Sequence, residues 1–166
     1  MRRVLLFLAL AFAAMHASAA GYRPFDAGSL ERIKKAHAGK PFVLAFWSVT
    51  CEPCREEMPV WKAMRAKHSR IPIVLVAADS PSPSASREIA RFLAQHDPGP
   101  VERWAFADDF VERVRHSVDP KWRGELPRTY FFDADHRPLA HSGVISAGDA
   151  DAWFARQAPQ PRKEKP

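Results

Sequence analysis

At 166 residues the chain has the length of one ordinary domain, long enough to bury a core without disulfide staples. Its two cysteines therefore call for another explanation than scaffolding. The formal charge of +6 is modest and spread along the chain, so there is no basic stripe of the kind that nucleic-acid binding requires.

The first 19 residues read as a secretory signal peptide. Arg2 and Arg3 supply a positive start, residues 4–14 an apolar stretch, and Ala17-Ser18-Ala19 a small-residue cleavage motif near Ala19. The apolar stretch falls short of the roughly 20 residues that span a bilayer, and only an uncleaved leader that borrows Met15 and the following alanines would anchor the chain in a membrane. No cysteine stands at the cleavage site to carry a lipid. Export to an oxidising compartment such as the periplasm is expected, and there a close cysteine pair can cycle between dithiol and disulfide. Residues 20–158 are expected to form one domain. In residues 159–166, prolines together with Arg162, Lys163 and Lys165 predict a disordered tail.

Within the domain, Ser29 is placed to cap a helix over 29–38, which Gly39-Lys40-Pro41 stops. Phe42-Val43-Leu44-Ala45-Phe46-Trp47 is continuously apolar, the pattern of a strand buried on both faces of a sheet with helices on each side. After Cys51-Glu52-Pro53-Cys54, a helix is predicted over 55–68 with Met58, Trp61, Met64 and Arg65 at helical spacing, kinked at Pro59. Residues 71–78 form a second buried strand, and the helical crossover between the two implies a parallel pair with a right-handed connection.

A Pro/Ser loop over 79–84 then leads to a helix over 86–95, with Ile89, Phe92 and Leu93 on its apolar side. Residues 101–106 suggest a short strand, and Asp108 a cap for a helix ending near Val118. Residues 129–132 and 139–145 flank the turn from Asp133 to Pro138 as an antiparallel hairpin. Ser146 and Asp149 have capping-box spacing for a final helix that turns Trp153 and Phe154 inward. The fold class is α/β, a mixed sheet covered by helices.

A strand ending at Trp47 and a helix starting near Cys51 set the first sulfur among the unsatisfied N–H groups at the positive end of the helix dipole. A thiolate is favoured there, so Cys51 is the expected nucleophile, and Cys54, a turn further on and more buried, the resolving thiol. Residues at i and i+3 are close enough to close a disulfide without large backbone movement. Two other readings of the pair stand beside this one. A zinc or copper site would need some of His37, His68, His96, His116, His136 and His141 to converge on it. A purely structural disulfide would close so small a loop that it constrains the unfolded chain little.

The stretch Phe46-Trp47-Ser48-Val49-Thr50-Cys51-Glu52-Pro53-Cys54-Arg55-Glu56-Glu57-Met58-Pro59, followed later by Leu126-Pro127 ahead of an apolar strand, resembles the thioredoxin-like family and within it the TlpA/ResA branch of exported thiol-disulfide oxidoreductases. The resemblance covers about Phe25 to Ala158 and implies a thioredoxin-like fold. It also implies a cis Pro127 against the cysteine pair, with the Leu126 backbone free to pair with a client segment. It further implies that Glu57 exchanges protons with Cys54, a role that suits a half-buried carboxylate of raised pKa.

The implied activity is reduction of disulfides in exported client proteins, apocytochrome c among them, with electrons from a membrane donor and no cofactor. A disulfide oxidase or isomerase, a copper or zinc carrier and a redox-silent binding module are the alternatives. Three positions depart from the family pattern: Thr50 where a Trp is usual, Ala45 where thioredoxins bury an Asp, and Arg128 after Pro127 where Thr is common. Arg128 would favour a Cys51 thiolate and Glu52 would oppose it.

Overall fold

The computed structural model describes residues 21–157, so the expectations for the leader and the tail fall outside the described residues. In chain order the elements are β1 (Arg23–Phe25), α1 (Ser29–Ala36), β2 (Phe42–Trp47), α2 (Glu52–Lys67), β3 (Ile73–Ala77) and α3 (Pro83–Gln95), then β4 (Glu102–Phe106), α4 (Val111–Val118), β5 (Arg128–Phe132), β6 (Pro138–Ser142) and α5 (Ala147–Arg156). The continuously apolar segments β2 and β3 are buried at every residue and lie side by side in parallel at the centre of a six-stranded sheet of order β1-β4-β3-β2-β5-β6. On one side β4 and β1 continue the parallel part, and on the other β5 and β6 run antiparallel as the predicted hairpin.

Because successive residues of a strand point to opposite faces, β2 feeds two cores. Val43, Ala45 and Trp47 pack under α2, α3 and α5 with Cys54, Met58, Trp61, Phe92 and Phe154. Phe42, Leu44 and Phe46 face α1 and α4 with Ile33, Val114 and Trp122. Rings lock together in both layers, Trp47 on Phe92 at 4.4 Å and Phe42 on Phe132 at 4.6 Å between centroids. Each such side chain contributes roughly 1.5–3 kcal/mol on leaving water.

Several boundaries differ from the sequence reading, each for a local reason. β1 is absent from that reading because only Phe25 of its residues is buried and it exists by pairing with β4. Ser29 lies inside α1 behind Gly28, its hydroxyl oxygen taking the Asp26 N–H at 2.8 Å, so it caps nothing. α2 starts at Glu52 with Cys51 as its cap, in line with the helix mouth expected at Cys51 though three residues ahead of the 55–68 span read from spacing, and runs unbroken through Pro59. α3 likewise starts at Pro83, since proline suits a first turn whose N–H groups are free; the Ser82 hydroxyl accepts from the Ala85 N–H at 3.0 Å.

Asp108 closes a turn onto the Phe110 N–H at 2.9 Å, and α4 begins only after Phe110. The second hairpin strand stops at Ser142, where Gly143 takes φ 87° and turns the chain away. The final cap matches expectation: Ser146 Oγ accepts from the Asp149 N–H at 3.1 Å and donates to the Asp149 carboxylate at 2.6 Å.

Candidate active site

At the carboxyl end of β2 the chain makes a turn through Ser48, Val49 and Thr50, closed by a hydrogen bond from the Cys51 N–H to the Ser48 carbonyl at 3.1 Å. Cys51 is the N-cap of α2, and its sulfur accepts the Cys54 N–H at 3.3 Å, taking one of the donors a helix start leaves free. The two sulfurs form a disulfide with Cα atoms 5.3 Å apart. Cys51 is half-buried while Cys54 is sealed in the core beneath α2. In the dithiol form the same N-terminus would favour a thiolate at Cys51.

Glu57 lies one turn past Cys54 on the buried face of α2 and is 1 % exposed, the one buried carboxylate among the described residues. Its Oε1 accepts the Ile145 N–H at 2.8 Å. Burial pushes its pKa from 4.5 up to about 7, outweighing that hydrogen bond. On the same side of the sheet, Ala45 pairs with the fully buried Thr129, so the acid on this face comes from the helix and not from the central strand.

Leu126-Pro127 is a cis peptide. Arg128 pairs with Phe46 in the β2–β5 register, which sets Pro127 beside Trp47, where the turn to Cys51 departs. Among the described residues no backbone group bonds the N–H or C=O of Leu126, whereas the Pro127 carbonyl takes the Gly143 N–H at 2.9 Å. The structure thus brings Cys51, Cys54 and Pro127 to one end of the sheet, with Glu57 behind them.

Arg128 does not join them. Strand alternation turns it to the opposite face with Tyr130, where it pairs with Asp119 at 2.9 Å and Glu125 at 3.2 Å and donates to the Tyr130 hydroxyl at 3.0 Å and to Ser142. The expected support for a Cys51 thiolate is therefore corrected, and Glu52 is answered by Arg55 next to it. Arg128→Ala is expected to cost about 2–3 kcal/mol by leaving Asp119 and Tyr130 without their partner, and to leave the thiol pKa of Cys51 unchanged. Denaturant unfolding and a thiol titration of the same variant check both halves.

Three of the six histidines considered as metal ligands are engaged elsewhere, His68 with Asp151, His37 with Glu102, and His136 with the His37 carbonyl. Among the described residues no group of three or more His, Cys, Asp or Glu side chains is placed to hold a metal ion.

One carboxylate escaped the sequence reading. Asp79, first residue of the predicted loop after β3, accepts the Ser48 hydroxyl at 2.6 Å and the Val49 N–H at 3.3 Å, and so holds the turn that leads into Cys51. The available signal was its place: a polar residue just beyond the carboxyl end of a buried parallel strand, where open α/β sheets gather their site loops.

A cysteine pair opening the helix after the central strand, with a cis proline ahead of the neighbouring antiparallel strand, defines a thioredoxin-like fold. No protein-family model and no curated protein sequence matches the chain. Solved structures do. A secreted Mycobacterium tuberculosis disulfide oxidoreductase homologous to Escherichia coli DsbE superposes with a TM-score of 0.60 at 19% identity, over 74% of this chain and 85% of that one. A Chlorobium tepidum protein provisionally assigned as the thiol:disulfide interchange protein DsbE gives 0.54 at 25% identity, over 74% and 80%. StoA from Bacillus subtilis gives 0.54 at 16% identity, over 70% and 83%. The chain thus shares its fold with thiol-disulfide oxidoreductases and carries a Cys-x-x-Cys disulfide at the head of α2.

Proposed function

We propose that this protein is an exported thiol-disulfide oxidoreductase that reduces disulfides in client proteins, and that its leader directs it to the periplasm. The observation that carries the reading is the Cys51–Cys54 disulfide at the start of α2, with one sulfur half-exposed and the other buried.

In the dithiol form the Cys51 thiolate attacks a client disulfide. A mixed disulfide forms, and the client's second sulfur leaves as a thiolate. Glu57 takes the proton of Cys54, whose thiolate attacks the Cys51 sulfur. The client leaves as a dithiol and the protein returns to the disulfide seen here. Two electrons from a membrane dithiol donor complete the cycle. Pro127 and the free backbone groups of Leu126 would seat an extended client segment beside Cys51, a strand pairing that main-chain hydrogen bonds can hold. Apocytochrome c is one client class that fits this chemistry.

The direct test is the thiol-disulfide equilibrium of the pair against glutathione together with reduction of insulin. A reductant is expected to reduce insulin with a potential of about −200 to −270 mV. A value near −120 mV would assign an oxidase instead, and a pair that neither equilibrates nor reduces insulin would sink the reading.

A further inference from the structure

We infer that Asp79 is a positioning residue for Cys51: it ties the turn at residues 48–51 to the end of β3 and brings an unpaired negative charge close to the attacking sulfur. The inference rests on the oxidoreductase reading and adds to it a determinant of the pair's reactivity.

Ser48 is buried at 7 % exposure and its single hydroxyl proton goes to Asp79 at 2.6 Å. Its oxygen is then left as an acceptor for the Thr50 N–H at 3.2 Å and the Thr50 hydroxyl at 3.1 Å. The second turn donor, the Val49 N–H, reaches both Asp79 oxygens at 3.3 Å. Residues 48, 49 and 50 thus all hang, directly or through Ser48, on one carboxylate, and the next residue is Cys51. The two strands are joined at the same level by the Ala78 N–H on the Trp47 carbonyl at 2.7 Å, so Asp79 is fixed relative to the turn it holds.

No basic side chain pairs with Asp79 among the described residues, and its other surroundings are the cleft of about 470 Å3 bordered by Tyr22, Ser82 and Ser86. Burial raises its pKa against the Ser48 and Val49 hydrogen bonds, with Glu88 on α3 adding to the rise. A carboxylate so placed disfavours a thiolate at Cys51. That destabilises the dithiol form relative to the disulfide and makes the pair more reducing.

Asp79→Asn keeps an acceptor oxygen and deletes the charge. It is expected to lower the Cys51 pKa by about one unit and to move the equilibrium with glutathione about tenfold toward the dithiol, roughly 30 mV. Ser48→Ala keeps the charge, removes the hydroxyl that carries residue 50 and leaves only the Val49 N–H on Asp79, and is expected to slow the single-turnover reaction with insulin about tenfold by loosening the nucleophile's placement. A folded Asp79→Asn protein with the wild-type pKa and equilibrium would overturn the inference. If that variant does not fold, a wild-type insulin rate in Ser48→Ala would overturn it. In both cases the wild-type protein still exchanges with glutathione and reduces insulin. A wild-type protein that does neither fails the oxidoreductase reading itself, and the inference falls with it.

Discussion

Cys51→Ser is expected to abolish insulin reduction, lowering turnover by more than about three orders of magnitude, while Cys54→Ser accumulates covalent adducts with its clients. The asymmetry follows from where α2 places each sulfur. Cys51 stands half-exposed at the helix mouth, where the N–H groups of the first turn favour its thiolate. A serine there has no accessible anion near neutral pH, so the attacking group is lost outright.

Cys54 is fully buried and cannot meet a client disulfide directly; in the proposed cycle its part is to attack the mixed disulfide from behind, from a Cα only 5.3 Å away. Without that sulfur the adduct on Cys51 persists until an external thiol cleaves it. Non-reducing electrophoresis and mass spectrometry after exposure to oxidised insulin would show the adduct and its attachment at residue 51. Adducts in equal amount from both single variants would contradict the division of labour between the two sulfurs.

The parts of this arrangement that were legible in sequence are those governed by local pattern. Continuous apolar runs gave β2 and β3 because a strand buried on both faces has no polar positions to interrupt it. Ser146 and Asp149 marked the start of α5 because a capping box is a local hydrogen-bond motif. The Pro/Ser run disguised the first turn of α3.

Long-range pairing explains the rest. β1 is three residues with one buried side chain, and nothing in Arg23-Pro24-Phe25 announces a partner as distant in sequence as Trp104 to Phe106. The direction of Arg128 depends on register: a shift of one residue would have turned it toward the cysteines, as the sequence reading supposed. The link from Asp79 to Ser48 is of the same kind, joining the ends of two adjacent strands across 31 residues. The cysteine pair was thus readable from the motif, and of the two carboxylates near it Glu57 was readable because it shares a helix with Cys54, whereas Asp79 reaches the site from another strand.

Glu57→Gln is expected to remove the pH dependence of stability at this site, and so to reverse the stability order of the two proteins between pH 4 and pH 8. The folded-state pKa of about 7 lies above the ordinary 4.5, so the folded protein holds this proton more tightly than the unfolded chain does. Stability from this group is therefore fully present below pH 4.5 and is lost as pH rises through 7, by about 3 kcal/mol in all. A glutamine keeps an oxygen for the Ile145 N–H but buries an amide nitrogen, a cost of about 1–2 kcal/mol that does not vary with pH. The variant is thus expected to be the less stable protein at pH 4 and the more stable at pH 8.

Guanidinium unfolding of the disulfide form across that range measures the difference directly, and a difference that stays flat would show that Glu57 titrates as an ordinary carboxylate. The same substitution is expected to slow client release about a hundredfold, because an amide cannot take the Cys54 proton. Stability gained at high pH together with release lost is the joint result that a proton acceptor predicts; a carboxylate buried for packing alone would give the first without the second.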